Sequence, residues 1–289
     1  MGVAAWALSP QFILPSIPTG LTAPADRATF LLLHFWDNMD FDTDSALTAP
    51  HAFEQNFADF MSVFPIVSDS VAALAVENLL QKASANKEAY QTVSRTAEKY
   101  LYEPESPVYN EEYYRLFLLS IEASPVLTDA EKSRVAYQLE TVNKNRAGSK
   151  ASNFSFTLPD GTLSELYASD RTPFTLLMFI DPDCDHCRHT VERIKKSTLI
   201  DKLIAGGELQ IIAVYSGDER GLWQRYVESA LPPHWTAGYD PGTVIENDIY
   251  AMPAFPTVYL LDSNLNVAAK NISFSDELLE QLMHRPQQK

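Results

Sequence analysis

The stretch Phe174–Ser197 reads FTLLMFIDPDCDHCRHTVERIKKS, and it decides the fold of the second half of the chain. It opens on a continuous apolar run, FTLLMFI, as expected of a strand buried on both faces. It closes on RHTVERIKKS, which has the texture of a helix. Between them stand Cys184 and Cys187, the only cysteines in 289 residues. On the first turn of a helix, residues three apart carry β-carbons about 5–6 Å from each other. A disulfide tolerates α-carbon separations of roughly 4.4–6.8 Å. A small adjustment therefore bonds or separates the two sulfurs. The unpaired N–H groups and partial positive charge of a helix N-terminus favour a thiolate at Cys184, and the thiolate is the attacking form. The expectation is that Cys184, at the mouth, is the nucleophile and that Cys187, one turn inward, is the resolving thiol. Asp183 and Asp185, with Asp181, disfavour a further negative charge, whereas His186, when protonated, and Arg188 favour it. Asp183, Asp185 and His186 are thus expected to tune the site, with the sign of the net effect left open.

Other readings of the pair compete. Two buried structural thiols would show the same spacing. A zinc site prefers four ligands, usually from two spaced pairs. His186 and His189 are close, but there is no second Cys-x-x-Cys and no His-x-x-x-His, so no metal is expected. Covalent haem needs Cys-x-x-Cys-His, and Arg188 occupies the last place. His34, His51, His234 and His284 are scattered and read as surface or core residues.

Outward from the dithiol, the surrounding sequence supplies the rest of an α/β unit. NFSFTLPDGTLSEL alternates about an Asp160-Gly161 turn, a hairpin signal. LQIIAVY is a second buried strand, followed by a helix around ERGLWQRYVESA. TVYLLD and VAAKNI are two more strands joined by the turn SNLN, and SDELLEQLMHR closes as a helix opened by Ser275 or Asp276. The order is hairpin, β-α-β-α, β-β-α, which places a central mixed sheet flanked by helices within residues 150–289.

Residues 26–149 read differently, as an all-α domain of helices separated by proline-rich breaks. Residues 26–39 predict a buried helix. Phe53, Phe57, Phe60, Met61 and Phe64 recur at helical spacing, with Thr48 and Pro50 suiting the start of that helix and Pro65 its end. A third helix carries Val71, Leu74, Leu79 and Leu80, and a fourth Tyr90, Val93, Ala97, Tyr100 and Leu101. Asn110 caps the next, with Glu111 and Glu112 in its first turn, where the macrodipole favours acids. Thr128 and Glu131 form a capping box, and Gly148 suits a left-handed terminator. The phenylalanine stripe reads as core. Trp36 with Asp37, Asp40, Asp42 and Asp44 reads as a solvated helix end, a binding edge being the alternative.

Composition bounds the whole. A chain of 289 residues fits about two domains. The net charge of -16 argues against a nucleic-acid partner, because phosphate binding needs Lys and Arg. No apolar run approaches the ~18–20 residues of a membrane span. Residues 1–25 read as an N-terminal extension. Its start, MGVAAWALSP, resembles the end of a signal peptide at Ala5-Trp6-Ala7, but no Lys or Arg precedes Arg27, so the signal is not complete.

On ASNFSFTLPDGTLSEL, LLMFIDPDCDHC and MPAFPTVYLLD, in that order, residues 151–289 resemble a thioredoxin fold close to the periplasmic TlpA/ResA-type thiol-disulfide oxidoreductases. The resemblance implies a cis-proline facing the dithiol, at Pro256, with Phe255 and Thr257 on either side binding substrate. LHFWDNMDF, EKYLYEPESPVYNEEYY and NKNRAGSKASNFSF resemble a helical bacterial domain of unknown function that precedes such modules. Three places depart from the family: Asp183 where a Trp usually precedes the first cysteine, Met178 where thioredoxins bury an acid, and Thr190 where TlpA/ResA-type enzymes often carry a Glu. Glu192 falls on another helix face.

The resemblance implies thiol-disulfide exchange on protein dithiol or disulfide substrates, in either direction, with a redox partner protein and no cofactor. The setting it implies is the bacterial cell envelope, periplasmic. The alternative is a protein-binding module on a thioredoxin scaffold with an idle or structural dithiol.

Overall fold

The structure is a computed structural model that describes residues 12–42, 50–103, 106–272 and 274–283. Ala5-Trp6-Ala7, Thr48, Asp44 and His284, together with the side chain of His51, lie outside the described residues. The chain divides into two compact units, Met1–Glu140 and Thr141–Lys289.

The first unit is built from α-helices: α1 (Pro24–His34), α2 (Pro50–Ser62), α3 (Asp69–Ala83), α4 (Lys87–Leu101), α5 (Glu111–Glu122) and α6, which starts at Asp129 and runs on to Asn143. The starts of α5 and α6 are where the sequence places them, whereas α6 ends at Asn143, so Asn145, with φ 47°, and not Gly148 is the left-handed residue next to its end. The Asn86 side chain accepts from the N–H groups of Glu88 and Ala89 and starts α4. Asn110 accepts from Tyr113 N–H at 3.0 Å and starts α5. Thr128 and Glu131 close their capping box reciprocally. Phe53, Phe57, Phe60 and Phe64 are buried and continue into a ring cluster with Phe35, Trp36 and Phe117. Two expectations need adjusting. The first helix ends at His34, so Phe35, Trp36 and Met39 reach the core from turns beyond it. On α3, Leu74 is exposed while Ala72, Ala75, Val76 and Leu79 are buried. Asp37 pairs with His34 at 2.7 Å and Lys82 at 3.2 Å. Asp37, Asp40 and Asp42 are exposed, as a solvated helix end requires, whereas Trp36 turns into the core.

The second unit is a mixed sheet of seven strands among the described residues, β1 (Ser155–Thr157), β2 (Leu163–Glu165), β3 (Phe174–Phe179), β4 (Leu209–Ser216), β5 (Thr236–Asp240), β6 (Thr257–Asp262) and β7 (Val267–Lys270), in the order β2-β1-β5-β4-β3-β6-β7. β3 and β4 pair in parallel, as do β4 and β5, while β6 runs antiparallel to β3. The helices are α7 (Asp185–Lys195), α8 (Thr198–Ala205), α9 (Arg220–Ala230), α10 (Thr243–Glu246) and α11 (Asp276–Met283). The connections β3-α7-α8-β4 and β4-α9-β5 step in one direction across the sheet. Right-handed crossovers therefore put α7 and α9 on the same face. Successive β3 residues serve opposite faces. Leu176, Met178 and Ile180 join one buried cluster with Cys187, Val191 and Trp223, and Leu177 and Phe179 join the other with Phe154, Val244 and Tyr250. β3 is thus covered on both sides, as its unbroken apolar run requires.

One strand was not expected from sequence. β5, Thr-Ala-Gly-Tyr-Asp, is short and contains Gly238, so it lacks the branched apolar character of its neighbours. The glycine is there for space. A β-carbon on it would stand 2.9 Å from Phe156 Cδ2 and 3.2 Å from Val214 Cγ2.

Candidate active site

The site forms where β3 ends. Phe179, its last residue, pairs with Thr257, the first of β6. That register sets the loop before β6 beside the loop after β3. Cys184 therefore meets Phe255, and its Sγ lies 3.6 Å from the Phe255 carbonyl oxygen. The Phe255–Pro256 peptide is cis.

The turn that carries the chain into α7 is held by its own polar groups. Asp181 Oδ1 accepts from Asp183 N–H at 2.9 Å, and Asp181 O accepts from Cys184 N–H at 3.1 Å. Cys184 is then the N-cap of α7, with extended backbone angles. Its sulfur, in place of the usual side-chain oxygen, accepts from Cys187 N–H at 3.4 Å. An orphan N–H at the start of a helix is a donor that favours negative charge on what it meets. The geometry therefore aims this donor at Cys184 Sγ.

Cys187 occupies a different environment. Along α7, Cys187, Thr190, Val191 and Ile194 are buried, a spacing of three and four that turns one stripe to the sheet. Cys187 is fully buried, Cys184 only partly, and neither is bonded to another sulfur. Burial pushes the Cys187 thiol up to about 12; the Asp181 N–H, 3.3 Å from its sulfur, pulls in the opposite direction, and Cys184 pushes it further up. Desolvation dominates because a buried sulfur anion loses its water.

The other sequence candidates fall into two groups. Asp183, Asp185 and His186 are all exposed. Asp185 forms an ion pair with Arg188, whose other guanidinium nitrogen donates to Pro182 O at 2.9 Å. Pro256 is half-buried beside the dithiol loop. Thr257 is buried and its hydroxyl donates to Ala254 O at 2.6 Å, so it braces the loop rather than presenting an open hydroxyl. Met178 and Thr190 are both buried. Among the described residues, no group of three or more His, Cys, Asp or Glu comes together to hold a metal ion.

One residue near the dithiol was not singled out from sequence. Tyr226, on α9, is buried in the cluster that contains Cys187. Burial, and then charge on Cys187, push its hydroxyl up to about 12. The available signal was Trp223 followed three residues later by Tyr226, which marks the core-facing side of a helix.

Residues 3–145 match the model of a domain of unknown function (DUF5106). No curated protein matches the chain. Among solved structures, a thioredoxin-like protein from Bacteroides caccae is 34% identical, with a TM-score of 0.88 over 95% of this chain and 99% of that one. The C-terminal domain of an uncharacterized protein from Bacteroides fragilis is also 34% identical and aligns with 49% of this chain and 99% of its own, TM-score 0.45. The thioredoxin domain of a thiol-disulfide oxidoreductase from Bacteroides vulgatus is 18% identical over 48% of this chain and 98% of its own, TM-score 0.42. With a relative matched along nearly the whole of both chains, the protein belongs to the thioredoxin-like family, with a DUF5106 helical domain ahead of its thioredoxin-like sheet.

Proposed function

We propose that the protein carries out thiol-disulfide exchange on protein substrates. The observation that carries this reading is the asymmetry of the dithiol. Cys184 is accessible, caps a helix and receives an N–H at its sulfur, while Cys187 is buried one turn behind it. In the proposed reaction the Cys184 thiolate attacks a substrate disulfide. A Cys184–substrate bond forms, the substrate disulfide breaks, and one substrate sulfur leaves with the electron pair. Cys187 then attacks Cys184 Sγ, closing the intramolecular disulfide and releasing the second substrate thiolate. The substrate gains two electrons and the dithiol loses two; the reverse direction uses the same atoms.

Substrate binding is assigned to the segment Phe255, Pro256 and Thr257, in which the Phe255 carbonyl lies at Cys184 Sγ and buried Thr257 serves by bracing the loop. Asp183, Asp185 and His186 are assigned to tuning, since they surround the cap without blocking it. No cofactor is needed for these steps. A second dithiol protein is proposed as the electron partner, and the cell envelope, in the periplasm, as the setting. No helix among the described residues is long and apolar enough to cross a membrane.

Insulin reduction with dithiothreitol tests the reading: the wild-type protein accelerates it and Cys184→Ser does not. Equal turnover by the two would support the alternative, a binding module with an idle dithiol. Apolar Met178 and neutral Thr190, in places where relatives keep acids, favour that alternative.

A further inference from the structure

The mouth of the dithiol lies between two walls that differ in charge. One is the segment leading into β6. Met252, Phe255 and Pro256 are half-buried, Pro253 and Ala254 are exposed, and no charged side chain stands between Tyr250 and Thr257. This wall meets the sulfur through the Phe255 carbonyl, 3.6 Å from Cys184 Sγ. The other wall comes from β4. Phe179 pairs in parallel with Val214, and Ile180 N–H donates to Val214 O at 2.8 Å. The turn after β3, which carries Cys184, and the turn after β4, residues 217–219, therefore leave the same end of the sheet side by side.

The β4 turn has a fixed main chain. Gly217 N–H donates to Asp240 O at 3.0 Å, and the Tyr239 hydroxyl donates to Asp218 O at 3.4 Å. The Tyr215 ring lies over Gly217 so closely that a β-carbon there would stand 2.6 Å from its Cζ. The side chains of Asp218 and Glu219 are left exposed. Both act on the Tyr215 hydroxyl together with Asp181 from the neighbouring turn, so the ring stands between the two turns. Asp183 is exposed as well. Among the described residues, no Lys or Arg forms an ion pair with Asp181, Asp183, Asp218 or Glu219. The nearby cations are engaged elsewhere: Arg188 pairs with Asp185 and donates to Pro182 O, and Arg220 lies over the Tyr239 ring. Charge that no neighbour neutralises acts outward on what approaches, over about a Debye length.

We propose that the β4 wall selects the substrate of Cys184 by charge. Asp218 and Glu219, with Asp181 and Asp183, favour a disulfide flanked by Lys or Arg, and the neutral wall of Met252 and Phe255 takes the apolar side of the same segment. This rests on the exchange reading above and names its substrate class. The bonds are those already given: Cys184 joins one substrate sulfur, the substrate disulfide breaks, and the other sulfur leaves with the electron pair. The wall alters how often a productive encounter occurs.

Small disulfides of different charge test this with the full reduced chain at pH 8: dicationic cystamine, neutral hydroxyethyl disulfide and dianionic dithiodiglycolate. Oxidation of the dithiol is followed by maleimide quenching and intact mass. Each rate is divided by that of the neutral dithiol dithiothreitol with the same disulfide, which removes differences in leaving group. The wild type prefers cystamine to dithiodiglycolate by about tenfold at about 10 mM salt, with the neutral disulfide between them, and most of the preference is gone at about 300 mM. Asp218→Asn combined with Glu219→Gln lowers the preference by about threefold. Any effect of these substitutions on Cys184 itself scales all the rates alike and cancels in the ratio. Glu208→Gln, an exposed site at the other end of β4, keeps the wild-type preference. Equal normalised rates for the cationic and anionic disulfides would overturn the inference, as would a preference that the double variant leaves intact or that Glu208→Gln lowers as much. A wild-type chain that none of the disulfides oxidises would instead overturn the exchange reading itself.

Discussion

Cys184 Sγ and the Phe255 carbonyl oxygen stand 3.6 Å apart, although 71 positions separate the two residues in the chain. The antiparallel register of β3 with β6, Phe179 opposite Thr257, holds them together. Under the proposed exchange, a substrate segment laid along Phe255 would bring its own sulfur beside Cys184.

That juxtaposition predicts how single-cysteine variants divide the reaction. Cys184→Ser abolishes exchange. Cys187→Ser retains the first attack and accumulates a covalent Cys184–substrate disulfide, seen as a reducible mass increase on intact-protein mass spectrometry. Absence of the adduct would contradict the assignment of Cys184 as nucleophile.

Burial of Cys187 predicts an alkaline weakness. Its thiol, raised from an ordinary 9.0 to about 12, keeps its proton in the folded chain after the unfolded chain has lost it. The unfolded state then binds fewer protons, so stability falls as pH rises from about 9 towards 12. The slope from this one group approaches about 1.4 kcal/mol per pH unit. Urea unfolding at pH 8 and pH 10 checks it: the reduced wild type loses more stability between them than Cys187→Ala does.

The crowded glycine of β5 predicts a large response to one methyl group. Gly238→Ala puts a β-carbon against the root of the buried Phe156 ring and against Val214. Neither neighbour is a flexible end, so the cost is about 1–3 kcal/mol. A lowered urea midpoint for residues 141–289, read by near-ultraviolet circular dichroism, is the expected result; an unchanged midpoint would mean that the sheet can open here.

At the other unit, Asn86 accepts two N–H groups, from Glu88 at 2.9 Å and Ala89 at 3.3 Å. Asn86→Ala removes both acceptor contacts and costs about 1 kcal/mol. Thermal unfolding followed at the far-ultraviolet helix band measures it, and Asn86→Asp, which keeps an acceptor, retains most of the stability.

What the sequence conveyed tracked how local the physics is. The cap at Asn110 and the box of Thr128 with Glu131 depend on residues a few positions apart, and both stand as read. β3 was legible because burial on both faces leaves an unbroken apolar run. β5 was not, because a glycine demanded by Phe156, a distant residue, erased its strand character. Leu74 looked like core by spacing, yet the neighbours of α3 cover the Ala72–Val76 side instead. At the site, Cys-x-x-Cys announced itself, whereas Tyr226 joins the Cys187 cluster only when α9 and α7 come to one face.

The sulfur of Cys184 takes its donor from the main chain at Cys187, while Asp185 and His186, between the two cysteines, project into solvent. Architecture and chemistry are consequently separable here. Asp185 and His186 belong to neither buried cluster of the sheet, so what is built into the fold at this turn is the main chain and the two sulfurs, not the side chains between them.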